Sequence, residues 1–311
     1  MLSRAAANLY WIGRYMERAD FTTRLTEATV RLGSLAGEVE SDRAWHSALA
    51  VVGGQACFAK TGEALSGFAA RRFLMLAEEN ASSVRTCLFM ARDNARAART
   101  ALSREAWEAV NRSWLAIRDR ASPGGTQATL NLVELLKAEL RGFEGALTRM
   151  LRADSYWFMR LGSVIERADN TARLLDVKYY LLLPEGAPVG GTLDRDQWTT
   201  ILHTVAALNA YRAIYREAIK PWLIADLLIF RRELPRSLAA SADETVDLLS
   251  RLAGRTGRQG EADRLARQRL AFFEEGNIEQ LFQEGMHEQL RRCIAENNAL
   301  DAAIAQQFRF G

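Results

Sequence analysis

The chain has 311 residues, 49% of them hydrophobic and 25% charged, a balance that suits one large globular domain or two of ordinary size with ample core. A formal charge of +3 is too small to demand a nucleic-acid or membrane-surface partner, and the most apolar run, residues 222–230, is about half the length of a membrane span. Cys57, Cys87 and Cys293 lie far apart, as do His46, His203 and His287, so neither a disulfide framework nor a metal-ligand spacing is present, and a reducing, cytoplasmic setting is expected.

Taken in order, the elements read as helices. Apolar residues Leu9, Ile12, Met16, Ala19 and Leu25 recur near helical spacing from Ser3 to about residue 32, and Arg4 and Arg14 interrupt any signal-peptide pattern. A short helix is expected over 45–52, then a glycine-containing stretch to Gly67, then helices over 69–78, 82–99 and 103–118. Ser122-Pro-Gly-Gly125 marks a turn. Two long helices follow, over 126–150 and 154–183, and then a loop at Pro184–Gly191. Further helices are expected over 194–208, 210–219, 221–232, 261–275 and 278–307, with one more opened by Pro235 at its first position and running to about residue 254. No period-2 alternation of useful length occurs, so the fold class is all-α.

The informative feature is an internal duplication. Gly13-Arg-Tyr-Met-Glu17-Arg-Ala-Asp20-Phe-Thr-Thr-Arg24-Leu25 returns as Gly162-Ser-Val-Ile-Glu166-Arg-Ala-Asp169-Asn-Thr-Ala-Arg173-Leu174, with a constant offset of 149 and eight of thirteen positions identical. A weaker echo relates Ser83-Val84 to Ser237-Leu238 at an offset of 154. The expectation is a helical bundle of two pseudo-repeated units, residues 1–150 and 151–311, packed as one body around an approximate twofold. At about 100° per residue, Gly13, Glu17, Asp20 and Arg24 share one helical stripe, as do Gly162, Glu166, Asp169 and Arg173. Glycine within a helix costs about 1 kcal/mol relative to alanine, so its recurrence one turn before each glutamate points to close approach of a backbone or ligand. Asp20/Arg24 and Asp169/Arg173 have the spacing of intrahelical ion pairs.

Three readings of the stripes stand side by side. They form a buried, cross-paired network that fixes register. Alternatively, they line a ligand or catalytic site at the interface, with Glu17 or Glu166 as general base and Arg24 and Arg173 gripping anionic groups. A magnesium site is the third, since four carboxylates on two helices outline a bundle-core centre that lacks its usual histidines.

At these residues the sequence resembles the bacterial alpha-E family over nearly its whole length. The resemblance is carried by Met1-Leu-Ser-Arg4, Asn8-Leu-Tyr-Trp11 through Glu17-Arg18, Asn80-Ala-Ser-Ser-Val-Arg85, Ile165-Glu166 through Asn170-Thr-Ala-Arg173, Leu234-Pro-Arg236-Ser237 and Glu284-Gly-Met-His287. It implies association with an ATP-grasp-type ligase in peptide or amino-acid modification, with magnesium and ATP entering only through that partner and no cofactor of the chain's own. Two departures stand out: Ala81 where proline precedes Ser82, and Ala239 where the second copy would repeat Arg85. The resulting expectation is an accessory or scaffold protein acting with such a ligase on a peptide or amino-acid substrate. Its alternative is an enzyme with an Arg/Glu site between the repeats. Ligand-binding candidates are Arg14, Asp20, Arg24, Arg85, Asp169, Asn170, Arg173 and Arg236, and any anion recognition is expected to centre on Arg24 and Arg85 of the first repeat. The most basic stretch, Gly254 to Gly260 with Arg264, Arg267 and Arg269, reads as a solvated face or, alternatively, as a contact for an acidic partner.

Overall fold

The structure, a computed structural model, describes residues 3–35, 37–181 and 191–310. These residues form fifteen α-helices and no strand. In chain order they are α1 (Ser3–Leu35), α2 (Glu38–Val51), α3 (Gln55–Lys60), α4 (Gly67–Leu76), α5 (Val84–Ala97), α6 (Arg104–Leu115), α7 (Thr126–Thr148) and α8 (Asp154–Leu181). There follow α9 (Thr192–Thr204), α10 (Leu208–Tyr215), α11 (Pro221–Ile229), α12 (Leu238–Thr256), α13 (Glu261–Glu275), α14 (Ile278–Glu284) and α15 (Met286–Phe308). Most of the loop expected at Pro184–Gly191 lies outside the described residues.

Where the elements depart from expectation, the cause is local. Pro235 does not open α12. Ser237 does, because its hydroxyl accepts the Ala240 N–H at 3.0 Å and so satisfies a donor that a proline start would leave to solvent. Pro221 instead holds the favoured first-turn position, in α11. The segment 278–307 is two helices, since Gly285 at φ +96° breaks the run between α14 and α15. Within the glycine-containing stretch, α3 forms and buries Phe58.

Two hydrophobic cores sit end to end, and each draws side chains from both halves of the chain. One contains Leu9, Ile12 and Met16 of α1 with Met159, Leu161 and Ile165 of α8, wrapped by α5, α6, α7, α13 and α15. The other contains Phe21 and Leu25 of α1 with Ala168 and Leu175 of α8, wrapped by α2, α4, α9 and α11. The first halves of α1 and α8 therefore share one core and their second halves share the other. The two long helices run side by side in the same direction, and they form the axis of the molecule.

Their closest approach is at the two glycines. A Cβ on Gly13 would stand 1.9 Å from the Met159 carbonyl oxygen, and one on Gly162 would stand 2.0 Å from that of Tyr10. Both contacts are backbone on backbone, so a side chain at either position forces the helices apart. The duplicated glycine permits the pairing of α1 with α8.

Candidate functional site: a glutamate–arginine clamp between the central helices

One turn beyond the glycines, the duplicated Glu-Arg dipeptides reach across the α1–α8 seam. Glu166 accepts two hydrogen bonds from Arg18, from Nε at 2.5 Å and Nη2 at 2.9 Å. Glu17 accepts two from Arg167, from Nε at 3.2 Å and Nη2 at 2.7 Å. Each arginine thus presents its Nε–Nη2 edge to the glutamate of the other helix, the bidentate geometry that suits guanidinium and carboxylate. Each glutamate takes a second arginine as well. Arg14 donates from Nε to Glu166 at 2.6 Å, and Arg236 donates from Nη1 to Glu17 at 2.5 Å.

The network spreads outward from these pairs. Arg236 also donates to Asp20 at 2.7 Å, and Asp20 accepts from Arg24 at 2.8 Å. Arg14 meets Asp301 of α15 at 2.6 Å and lies over the Trp11 ring. In α8, Arg173 donates to Asp169 at 2.6 Å, the intrahelical pair that the spacing predicts. Glu17 and Glu166 are 5% and 2% exposed, which places the clamp inside the molecule. Burial by itself pushes the Glu17 carboxyl up, but Arg167 and Arg236 overcome it and hold it at about 2. The same contest, won by Arg18 and Arg14, lowers Glu166.

Two threonines of the duplicated string tie the clamp to the helices beside it. Thr22 donates to the Ser82 carbonyl at 3.3 Å, and Thr171 donates to the Arg236 carbonyl at 2.9 Å. The next residue in each case, Ser83 or Ser237, is the N-cap of a core helix, α5 or α12. This tether carries Arg236 to Glu17, while Ser82 at the matching place has no charge to offer.

Of the residues singled out in the sequence, Arg14, Glu17, Asp20, Arg24, Glu166 and Arg236 come together here. Asp169 and Arg173 pair beside them on α8, and Asn170 is buried with its Nδ2 unpartnered among the described residues. Arg85 goes elsewhere, donating to the Arg120 carbonyl, and its counterpart Ala239 is core. The reading of the basic stretch as one solvated face also fails at Arg269, which is 6% exposed. Sequence reasoning missed Arg18 and Arg167, although both belong to the identical positions of the duplicated string.

The space around the clamp is uneven. Glu17 and Asp20 border a crevice of about 20 Å³, room for about one water. Arg24 lines a 320 Å³ cavity with Glu27, Arg31, Lys137 and His203. Arg173 lines an 880 Å³ one with Asp176, His287 and Arg291, where His287 Nδ1 stands 2.6 Å from Asp176. No group of three or more histidine, cysteine or acidic side chains placed to hold a metal ion occurs among the described residues, and no described helix is long and apolar enough to cross a membrane.

Fold and clamp together define a class: an all-α protein whose two parallel central helices are locked by crossed Glu-Arg pairs. The model of the alpha-E family, described as a predicted alpha-helical domain with a conserved ER motif, matches residues 1–308. The chain belongs to that family. Comparison with curated proteins returns no match, and comparison with solved structures returns none.

Proposed function

We propose that the chain is a non-catalytic accessory or scaffold protein that works with an ATP-grasp-type ligase in peptide or amino-acid modification. The observation that carries the non-catalytic part is the state of Glu17 and Glu166. Each is buried, accepts from two arginines and is held ionised well below neutral pH. A general base works best with a pKa near the operating pH and needs room for substrate within hydrogen-bond reach. A carboxyl at about 2 beside a 20 Å³ crevice has neither. The ligase and its substrate class rest on the family resemblance, and a cytoplasmic setting agrees with three free cysteines.

The scaffold is read as two units, residues 1–150 and 151–311, related by an approximate twofold along the α1–α8 seam. Supporting this are the constant offset of 149 and the reciprocal glycine contacts. The crossed Glu-Arg pairs and the matching threonine tethers support it further.

The test mixes the purified chain with an ATP-grasp-type ligase, magnesium, ATP and an acidic-peptide and amino-acid panel, read by mass spectrometry. A product that requires both proteins, and that survives Glu17→Gln, supports the accessory role. A product made by this chain without the ligase overturns it in favour of an enzyme at the repeat interface.

A further inference from the structure

The charged stripe of α1 continues past the clamp. Arg24, Ala28 and Arg31 fall on one helical face with Glu27 beside them. Together with Lys137 of α7, His203 of α9 and Asn209 of α10, they line the 320 Å³ cavity. At the offset of 149, Arg24 and Glu27 correspond to Arg173 and Asp176, which line the 880 Å³ cavity on the α8 side. Each cavity also has a histidine at its wall, His203 in one and His287 in the other. Their charges differ. On the α1 side three cations, Arg24, Arg31 and Lys137, face a single carboxylate, that of Glu27. On the α8 side Arg173 and Arg291 are matched by Asp176 and Glu288.

The α1-side cations retain donors for a ligand. Arg24 gives Nε to Asp20, a carboxylate it shares with Arg236. Its Nη1 and Nη2 make no hydrogen bond among the described residues, and both stay in contact with solvent. Arg31 reaches one oxygen of Glu27 through Nε and Nη2, which leaves Nη1. Lys137 takes the other oxygen at 2.8 Å, so one carboxylate holds the two cationic heads side by side, with Arg24 one helical turn away. Lys137 also meets Glu134, but that side chain is 59% exposed and water screens the pair. Burial lowers the His203 pKa, and Arg31, Arg212 and Lys137 push it further down against Glu27. Positive charge therefore outweighs negative at the cavity wall. Guanidinium and ammonium groups carry donors only, and a cluster of them suits an oxyanion with several acceptor oxygens and two charges.

We propose that the cavity between α1, α7, α9 and α10 is a binding site for a phosphate group carried on a small molecule, held by the Nη atoms of Arg24, by Arg31 and by the Lys137 ammonium. Its 320 Å³ leaves room for a modest substituent behind the phosphate. The site lies beyond the clamp and does not depend on a ligase partner.

The experiment titrates the full chain at about pH 8, where a phosphomonoester carries close to two charges. Inorganic phosphate, AMP, O-phosphoserine and acetate are compared at constant ionic strength, reading Tm and heat of binding. The phosphate compounds should raise Tm with concentration, as ligands that bind only the folded state do, while acetate leaves it unchanged. A stronger response to AMP or to O-phosphoserine than to phosphate supports the site and shows what carries the group. Arg24→Gln should weaken binding about ten- to a hundredfold, the effect of one charge-assisted contact. Arg31→Gln, at a side chain 59% exposed, should weaken it about fivefold and keeps the test open should Arg24→Gln fold poorly. Arg291→Gln removes the same charge from the α8-side cavity and should leave the affinity unchanged. The His203 ring resonances should move as phosphate is added. Wild type unmoved by every phosphate compound overturns the proposal. So does an equal response to acetate, or equal losses in Arg31→Gln and Arg291→Gln.

Discussion

Arg167 and Arg269 are almost equally withdrawn from solvent, at 5% and 6% exposure, yet they sit in opposite surroundings. Arg167 faces both oxygens of Glu17, with Glu144 3.4 Å away at its outer side. Arg269 has one amide oxygen. Burial acts against the charge in both places, but at the clamp the opposing carboxylate offsets it and the Arg167 pKa is raised, whereas at α13 burial prevails and the pKa falls. A guanidinium that is fully answered by its own chain locks two helices and is closed to ligands. One that is half answered keeps the cost of burying its charge.

The largest expected effect comes from making the clamp resemble α13. Glu166→Ala strips Arg18 of its carboxylate, leaving it the Tyr15 ring, and leaves Arg14 only Asp301 and the Tyr10 and Trp11 rings. Breaking a buried pair this way costs about 3–5 kcal/mol, a fall in Tm on the order of 10 °C. A Tm that does not move would show that the clamp is not buried in solution. Replacing Glu17, Arg167 and Arg236 together with apolar residues of similar volume should recover much of the loss of Glu17→Ala, because no charge is then left unpaired.

Acid should act on the same pairs. The folded-state pKa of Glu17, at about 2, lies below its ordinary 4.5, so its contribution is present above about pH 4.5 and is lost as pH falls toward 2. That contribution is roughly 3 kcal/mol, and the lowered Glu166 adds in the same direction. Denaturant midpoints measured from pH 6 down to pH 2 should therefore decline, and Glu17→Gln should flatten the decline. A profile identical to wild type would remove Glu17 from the acid response.

Gly13→Ala or Gly162→Ala tests the seam without touching a charge. A methyl facing a carbonyl at 1.9–2.0 Å makes α1 and α8 separate, at about 1–3 kcal/mol or more. It should also weaken the crossed pairs, so its effect and that of Glu166→Ala should fall short of additive in a double-mutant cycle. The smallest effect is expected at the tethers. Thr171→Val should cost about 1 kcal/mol and Thr22→Val less, since the Thr171 bond is 2.9 Å and the Thr22 bond 3.3 Å. Equal losses would mean that carrying Arg236 to Glu17 adds nothing to the second tether.

The duplicated string made much of this legible. Helical periodicity placed α1 and α8, the repeated glycine announced a close approach, and the spacing of Asp20 with Arg24 and Asp169 with Arg173 predicted two ion pairs that form. These features depend on a residue and its neighbours within a turn or two, which a sequence displays directly. Arg18 and Arg167 escaped because each lies about 100° around its helix from the preceding glutamate, off the stripe that periodicity defines. Their partners are on another helix, 148 and 150 positions away. Only the packing at Gly13 and Gly162 brings those side chains within reach. Arg236 and Arg85 differ for the same reason: both stand at helix starts in the sequence, and the fold sends one to Glu17 and the other to the Arg120 carbonyl. The sequence by itself determined the all-helical class, the two long central helices, the duplicated stripes and the glycine seam, which follow from local periodicity and backbone sterics. Tertiary structure alone decided which arginine meets which carboxylate and that Arg269 is buried, because pairing and desolvation depend on what lies across a helix interface.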